Sequence, residues 1–429
     1  MGASNGLETR DLPVSEMAEN LVGSEIIRLA GNIRKKVAAG AQIHNLTIGD
    51  FNPKIFPIPA ALKAEIIAAY QADATNYPAA NGLPELRSTI SDYIAREQGL
   101  HYTPEEFLVA GGARPLIFAA YTALVDPGET VVFPVPSWNN NHYTHLMRGG
   151  ARIVEATVDT NFMPSAASLR PHLKHARLVA LCSPLNPTGT AFTREQLLDI
   201  VDAVLEENAR RGPNEKPLYL LYDQIYWQLT YGETAHVDPV SLNPAMRPFT
   251  VFIDGISKCF AATGVRVGWS FGPEKIIGKM RAILGHVGAW APRAEQLATA
   301  AFLANQAATS AYLTDIRSEL ETRLRGLHAG FEVLRADGHA VYAVAPQAAI
   351  YLTVQFDLAG KRTAAGHVLE TTEDITAYLL DEAGLAIVPF YAFGADRSSR
   401  WYRFSVGTLR TEDIDNLLDR LRVALEALS

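Results

Sequence analysis

From about residue 55 to 300, short apolar runs alternate with stretches of helical periodicity. The runs include Phe107-Leu108-Val109-Ala110, Thr130-Val131-Val132-Phe133, Leu178-Val179-Ala180-Leu181 and Leu218-Tyr219-Leu220-Leu221. Thr250-Val251-Phe252-Ile253 and Val267-Gly268-Trp269-Ser270 follow. Near-continuous apolar strands separated by helices predict a mostly parallel sheet sandwiched between helices, an α/β architecture. Thr193-Arg194-Glu195-Gln196 has the form of a capping box, in which each end of the motif satisfies an amide of the other. It opens a helix that carries Leu197, Leu198, Val201 and Leu205.

The C-terminal pattern is different. Leu313, Ile316, Leu320, Leu324, Leu327, Phe331 and Leu334 recur at spacings of three and four, which predicts a long amphipathic helix. Shorter strands are expected at Ala349–Thr353 and Tyr402–Val406. A last helix places Ile414, Leu417, Leu418, Leu421, Leu425 and Leu428 on one face, with Glu412 and Asp413 in its first turn. The change of pattern predicts a large unit over 51–312 and a small α+β unit over 313–429.

A chain of 429 residues is long for one hydrophobic core, which agrees with two packed units. The net charge of −8 argues against a general nucleic-acid role. No apolar run reaches the length of a membrane span. Met1 to Arg10 has neither the apolar core nor the basic cluster of a secretory signal, and Gly6 stands where a myristoylation motif needs Ser or Thr. The stretch to about Val14 is polar and expected to be loose. Cys182 and Cys259 fit neither a disulfide nor a zinc spacing, so a reducing cytoplasm is expected and no metal site.

The chemistry-bearing residues come in blocks. Lys258 lies in Gly255-Ile256-Ser257-Lys258, directly after an apolar strand, and strand ends are where α/β sheets bind ligands. A solvated surface lysine would not follow such a strand so closely. Asp223 closes the strand from Leu218 and is followed by Tyr226. Gly111-Gly112-Ala113-Arg114 follows a strand and opens a helix, and free amides there suit an anion. Arg266 adds a guanidinium able to bind two oxygens at once. Asn186-Pro187-Thr188-Gly189 and Tyr402-Arg403-Phe404-Ser405 complete the set.

In this order and spacing the blocks resemble the active site of class I aminotransferases, pyridoxal phosphate (PLP) enzymes of fold type I and of the aspartate aminotransferase kind. The resemblance runs from about Leu46 to the C-terminus. It implies a large PLP-binding domain and a small α+β domain, with residues 1–50 packing on the small one and the long helix joining the two. It implies that Lys258 bonds the cofactor aldehyde and later moves a proton. Asp223 would keep the ring nitrogen protonated, since a nearby carboxylate favours the charged form. Asn186 and Tyr226 would bind the phenolic oxygen, and Trp138 would stack on the ring. Gly112, Ala113, Arg114, Ser257 and Arg266 would hold the phosphate. Many relatives carry a serine where this chain has Gly255, and often a glutamate where it has Gln224. Tyr77 would reach the phosphate of a neighbouring subunit, which makes a homodimer the expected assembly. Arg403, with Gly49 and Asn186, would bind the substrate α-carboxylate. Either Asn141 or His142 would support Asp223. Val135-Pro136 and Asn186-Pro187 are expected to be cis.

The resemblance implies transfer of an amino group from an α-amino acid to a 2-oxo acid, 2-oxoglutarate being the expected partner. An aspartate-like donor is favoured, with an aromatic or broad-range pocket as the alternative. Some relatives bring an arginine from the neighbouring subunit a few residues before a proline; counting back from Pro292 lands near His286, between Arg281 and Arg293, with Trp290 nearby. A PLP lyase or synthase on the same fold would use the same lysine, aspartate and arginines. A non-catalytic effector-binding domain usually carries an added DNA-binding segment, and about 50 residues before the first motif are too few for one. A nicotinamide dehydrogenase fails for want of a glycine fingerprint after an early strand.

Overall fold

The computed structural model describes residues 14–21, 23 and 25–429. Residues 1–13, on which the readings about a secretory signal and a lipidation motif fall, lie outside the described residues.

Seven strands form the central sheet: β2 (Phe107–Ala110), β3 (Thr130–Val135), β4 (Gly150–Glu155), β5 (Ala176–Cys182), β6 (Tyr219–Asp223), β7 (Thr250–Gly255) and β8 (Gly268–Phe271). Their order is β2-β8-β7-β6-β5-β3-β4. All neighbours are parallel except β8, which runs antiparallel to both β7 and β2. β2, β7 and β8 are buried at every residue, as strands covered on both faces must be. Two apolar clusters line the sheet, one holding Val132, Val179 and Phe252, the other Val131, Leu178 and Val251. The alternation within each strand, period two, assigns successive residues to opposite faces.

The register brings the functional strand ends together. Cys182 pairs with Asp223, and Asp223 with Ile253, so the loops after β5, β6 and β7 leave the same edge. That is the carboxyl-end crevice expected of an open α/β sheet. The helix Arg194–Arg210 starts as expected: Thr193 Oγ1 accepts from the Gln196 amide at 3.2 Å, and the Thr193 amide donates to Gln196 Oε1 at 3.1 Å.

A second sheet has the order β12-β13-β10-β9, from β9 (Val341–Ala343), β10 (Tyr351–Phe356), β12 (Val388–Pro389) and β13 (Trp401–Ser405). The N-terminal part joins this side of the molecule, because β1 (His44–Asn45) pairs parallel with β11 (Leu385–Ala386). The long helix runs from Gln306 to Ala336 and buries all seven residues of the Leu313–Leu334 stripe. It begins seven residues before Leu313, because Asn305 caps its first turn by accepting from the Ala308 amide at 3.1 Å. β10 starts at Tyr351, two residues later than the apolar run suggests, since Ala349 has φ 58° and cannot continue a strand.

Candidate active site

A cavity of about 630 Å³ opens between the edge of the large sheet and the second sheet. Lys258 lies in it, in the single helical turn Ile256–Cys259 that follows β7. Its Nζ donates to the Gly49 carbonyl at 2.7 Å. Burial lowers the lysine from its ordinary 10.5 to about 8; Asp50 opposes this, and the charges of Arg403, Arg114 and Arg266 reinforce it. A lysine so placed is neutral in a large share of molecules near pH 8, which suits a nucleophile and proton carrier.

Asp223 faces the same cavity. Burial pushes it up to about 6, against the Ile225 amide, which donates to Oδ1 at 3.1 Å, and the charge of Lys258. The whole residue retains some exposure to the cavity, yet its carboxylate is largely removed from water; the direction of the shift follows from that. Such a carboxylate gains by meeting a cation. Neither candidate for its support makes a bond to it: Asn141 is exposed, and His142 Nδ1 is buried with no partner among the described residues. Tyr143, Cys182 and Asp254 all feel the Asp223 charge; Tyr143 is raised to about 12 by burial first, with Arg114 opposing and Asp223 adding to it.

At the other end of the cavity stand Arg266, Ser257 and the start of the helix Ala113–Leu124. The amides of Ala113 and Arg114 belong to the first turn, where no intrahelical acceptor exists. Arg266 adopts φ 62°, an uncommon region for a residue that carries a Cβ. Two carbonyls hold it there: Nη1 donates to Thr263 at 2.7 Å and Nη2 to Gly111 at 2.8 Å. Gly112 does not line the cavity itself. Its role is spatial, since a Cβ there would come within 2.1 Å of Arg266 Nη2. Gly255 is likewise required: a Cβ would fall 2.8 Å from Gly268 Cα and 2.9 Å from the Val267 carbonyl. The serine that many relatives carry there has no room between β7 and β8.

Trp138 follows the cis Val135-Pro136 bond and lines the cavity with Arg114, whose guanidinium carbon lies 5.2 Å from the indole centroid. Asn186-Pro187 is also cis, and Ser183-Pro184 is a third such bond. Asn186 Oδ1 accepts from Arg403 Nη1 at 2.9 Å, and Arg403 Nη2 donates to the Thr47 carbonyl at 2.7 Å. Arg403 is buried, its Nε has no partner among the described residues, and its guanidinium carbon lies over the rings of Tyr351 and Phe393 at 4.7 and 4.8 Å. Tyr226 is buried beneath, with its hydroxyl 2.7 Å from that of Tyr351.

These groups fit pyridoxal phosphate on their own chemistry. A guanidinium, a hydroxyl and free amides match a phosphate. An up-shifted carboxylate matches a ring nitrogen cation, an indole matches a flat ring, and a partly neutral lysine matches an aldehyde. Of the residues expected to hold the cofactor or substrate, Gly112 lies just behind this cavity and Tyr77 stands away from it. Tyr77 is 81% exposed and packs edge-on against Trp290 at 5.3 Å, in a separate pocket with Tyr70, Pro292 and Arg293. Arg281 and His286 line neither pocket. Tyr351, Asp50 and Thr47 are cavity residues that sequence reasoning missed. Tyr351 sits on β10 in register with Ser405, a pairing across more than fifty residues that no local pattern announces.

The family model for aminotransferase class I and II matches residues 41–421. A probable aspartate/prephenate aminotransferase of Rhizobium leguminosarum bv. phaseoli is 31% identical over 376 residues, covering 86% of this chain and 89% of the relative. An aspartate aminotransferase of Pinus pinaster is 31% identical over 442 residues, covering 99% and 85%. Among solved structures, the aspartate aminotransferase of Rhizobium meliloti superposes with a TM-score of 0.89 at 26% identity, covering 97% of this chain and 100% of that one. The Thermus thermophilus aspartate aminotransferase with maleate gives a TM-score of 0.84 at 26% identity, covering 96% and 100%.

Proposed function

The chain belongs to the class I and II aminotransferases, and from that premise we propose that it takes the amino group from a dicarboxylic α-amino acid such as aspartate and passes it to a 2-oxo acid, 2-oxoglutarate in particular. It is a PLP-dependent aminotransferase of fold type I. The observation that carries the dicarboxylate reading is Arg114. Its guanidinium lines the cavity, stacks on Trp138 and makes no ion pair or hydrogen bond among the described residues. Arg403 and Arg266 are each held by two acceptors, so Arg114 is the cation left to receive a second carboxylate. The Thermus relative with maleate, a dicarboxylate, supports the same substrate class.

In this reading the tasks divide among the residues of the cavity. Arg403 presents parallel donors to the substrate α-carboxylate, with Asn186 and the backbone at Gly49 fixing its direction. Arg266, Ser257 and the amides of Ala113 and Arg114 hold the phosphate. Trp138 covers the ring, Tyr226 and Asn186 hold its phenolic oxygen, and Asp223 holds a proton on its nitrogen. When bound, PLP supplies the electron sink for the bond broken at the substrate α-carbon. Lys258 Nζ would take the substrate α-proton and give it up again, and its lowered affinity for protons would serve both directions.

A homodimer fits Tyr77, an exposed aromatic on Trp290, which is placed to serve a neighbouring subunit rather than its own. The division into 51–312 and 313–429, with residues up to 50 packed on the smaller part, fits the two sheets and the β1–β11 pairing. Two free cysteines support a cytoplasmic location. The test is to incubate the holoenzyme with aspartate, glutamate, phenylalanine or tyrosine, with and without 2-oxoglutarate, and to assay keto acids. Oxaloacetate from aspartate only when the acceptor is present is expected. Keto acid or ammonia released without an acceptor would show lyase chemistry instead.

A further inference from the structure

The buried hydroxyls of Tyr226 and Tyr351 face one another at 2.7 Å, and neither has another hydrogen-bond partner among the described residues. The two phenols come from different sheets. Tyr226 follows β6, whereas Tyr351 opens β10 and shares a face with Arg403 on the neighbouring strand. A phenol has one O–H, so in such a pair one hydroxyl donates and the other keeps its proton for a third group. Tyr351 is hemmed in. Arg403 covers its ring at 4.7 Å, and a Cβ on Gly49 would lie 2.8 Å from its oxygen. An arginine offers it no acceptor. Both tyrosines line the cavity, but Tyr226 is the one beside Lys258, whose Nζ is 5.9 Å from its ring centre.

We propose that Tyr351 is a positioning residue: it donates to Tyr226 and thereby turns the Tyr226 proton into the cavity, toward the phenolic oxygen of bound PLP. This rests on the aminotransferase reading above. The direction follows from the charges around the pair. Burial raises both phenols and the Arg403 charge lowers both; Arg403 is the leading opposing influence at Tyr351 and the smallest at Tyr226, which favours Tyr351 as the donor. The other titratable groups facing the pair are Cys182 and Asp50, both of which raise Tyr351 and neither of which bonds its oxygen. A donor chain is cooperative, because the hydroxyl that accepts becomes a stronger donor in turn. Tyr226 supported in this way stabilises the anionic phenolic oxygen and holds down the pH at which the bound cofactor's lysine linkage takes up its proton.

The experiment is a pH titration of the visible absorption of the holoenzyme, with Tyr351→Phe, Tyr226→Phe and the double variant. Tyr351→Phe removes one oxygen and leaves the ring under Arg403. Its midpoint is expected to rise by about one pH unit, the worth of one modest hydrogen bond. Tyr226→Phe should rise further, and the double variant should match Tyr226→Phe alone. Gly49→Ala, which crowds the Tyr351 oxygen without removing it, should shift in the same direction and serves if Tyr351→Phe does not fold. An unmoved midpoint in both Tyr351→Phe and Gly49→Ala overturns the proposal, as does a double variant in which the two shifts add. A wild-type protein with no visible band after incubation with PLP would overturn the aminotransferase reading instead.

Discussion

Arg403 and Asn186 meet across the two sheets, the guanidinium Nη1 donating to the side-chain oxygen at 2.9 Å. The arginine comes from β13 and the asparagine from the loop after β5, so one hydrogen bond joins the second sheet to the cofactor edge of the large one. With the Thr47 carbonyl on Nη2 and nothing on Nε, the fork is directed and still has a donor to give. Every α-amino acid offers it the same carboxylate. Arg403→Lys loses the paired geometry and should lower kcat/KM by roughly 10- to 150-fold, from a charge-assisted contact of about 1.5–3 kcal/mol. The factor should be similar for aspartate, glutamate, phenylalanine and tyrosine. A reordering of the four would mean that Arg403 reads the side chain.

Asp223→Ala leaves the ring nitrogen without a carboxylate in a site closed to water. Loss of a charged contact there is worth about 3–4 kcal/mol or more in the transition state, or a slowing of roughly 10²–10³-fold. The measurement is kcat with saturating donor and acceptor, alongside PLP affinity. Near-normal kcat with PLP bound would remove Asp223 from the mechanism.

Lys258, lowered chiefly by burial to about 8, should set the pH dependence of cofactor capture. A lysine attacks only as the neutral amine, so the rate at which apoenzyme takes up PLP should rise with pH and level off above about 8. An unperturbed amine would keep gaining toward 10.5. Asp50 opposes the shift, so Asp50→Asn should move the plateau to lower pH. A rate still climbing past pH 9.5 in the wild type would contradict the burial argument.

Stability should carry a separate pH signature from His236. Both of its ring nitrogens are buried without partners among the described residues, beside the rings of Tyr222 and Trp227, although the residue as a whole keeps some exposed surface. Burial lowers it from 6.5 to about 3. The unfolded chain therefore binds a proton that the native state refuses between those values. Stability is retained above pH 6.5 and falls as pH drops toward 3. From pH 7 to 5 this one group accounts for a loss of about 2 kcal/mol. His236→Leu should flatten the urea-unfolding free energy over that interval relative to wild type. Parallel pH profiles would show that the ring nitrogens reach water.

Much of this site was legible because parallel strands end together. Asp223 closes one apolar run and Lys258 follows another within a single turn, so any register that buries those runs on both faces sends both side chains to one edge. The stripe from Leu313 to Leu334 was equally plain, since its period alone defines a helix. Tyr351 was not legible, because its place depends on β10 pairing with β13 and on Gly49 coming from a distant loop. Spacing did not choose between Asn141 and His142 as support for Asp223: on the helix Asn140–Leu146 one residue of rotation decides which side chain turns inward, and Tyr143 and Thr144 are the buried ones. Specificity was sought near Pro292, where Arg293 lies in the pocket of Tyr77 instead.

Tyr77 bears on assembly. An aromatic ring 81% exposed beside Trp290 is expected to be covered by a second copy. Sedimentation should give a dimer. Mixing inactive Tyr77→Ala and Lys258→Ala proteins should then restore part of the activity, because in a hybrid one site receives an intact lysine and an intact tyrosine. No recovery after verified subunit exchange would place Tyr77 outside the neighbouring site.

Side-chain choice is assigned to Arg114, and the assignment separates it from Arg403. Arg114 stands at the mouth of the cavity over Trp138, with its backbone amide in the first helical turn and its guanidinium unpaired. Substitution leaves that amide in place, so cofactor affinity should change little. Arg114→Gln removes the charge and keeps much of the side chain's length and polarity. The kcat/KM for aspartate and glutamate should fall by roughly 10- to 100-fold, the range of a charge-assisted hydrogen bond in a partly open site. Phenylalanine and tyrosine lack the second carboxylate and should be unaffected or improved. Arg293→Gln should leave the ratio unchanged in a monomer-borne site and alter it if the partner's loop completes the pocket. The decisive quantity is the ratio of acidic to aromatic kcat/KM, measured together with PLP affinity. A uniform fall across all four substrates, accompanied by weaker PLP binding, would place the Arg114 side chain on the phosphate and leave the second carboxylate to another group.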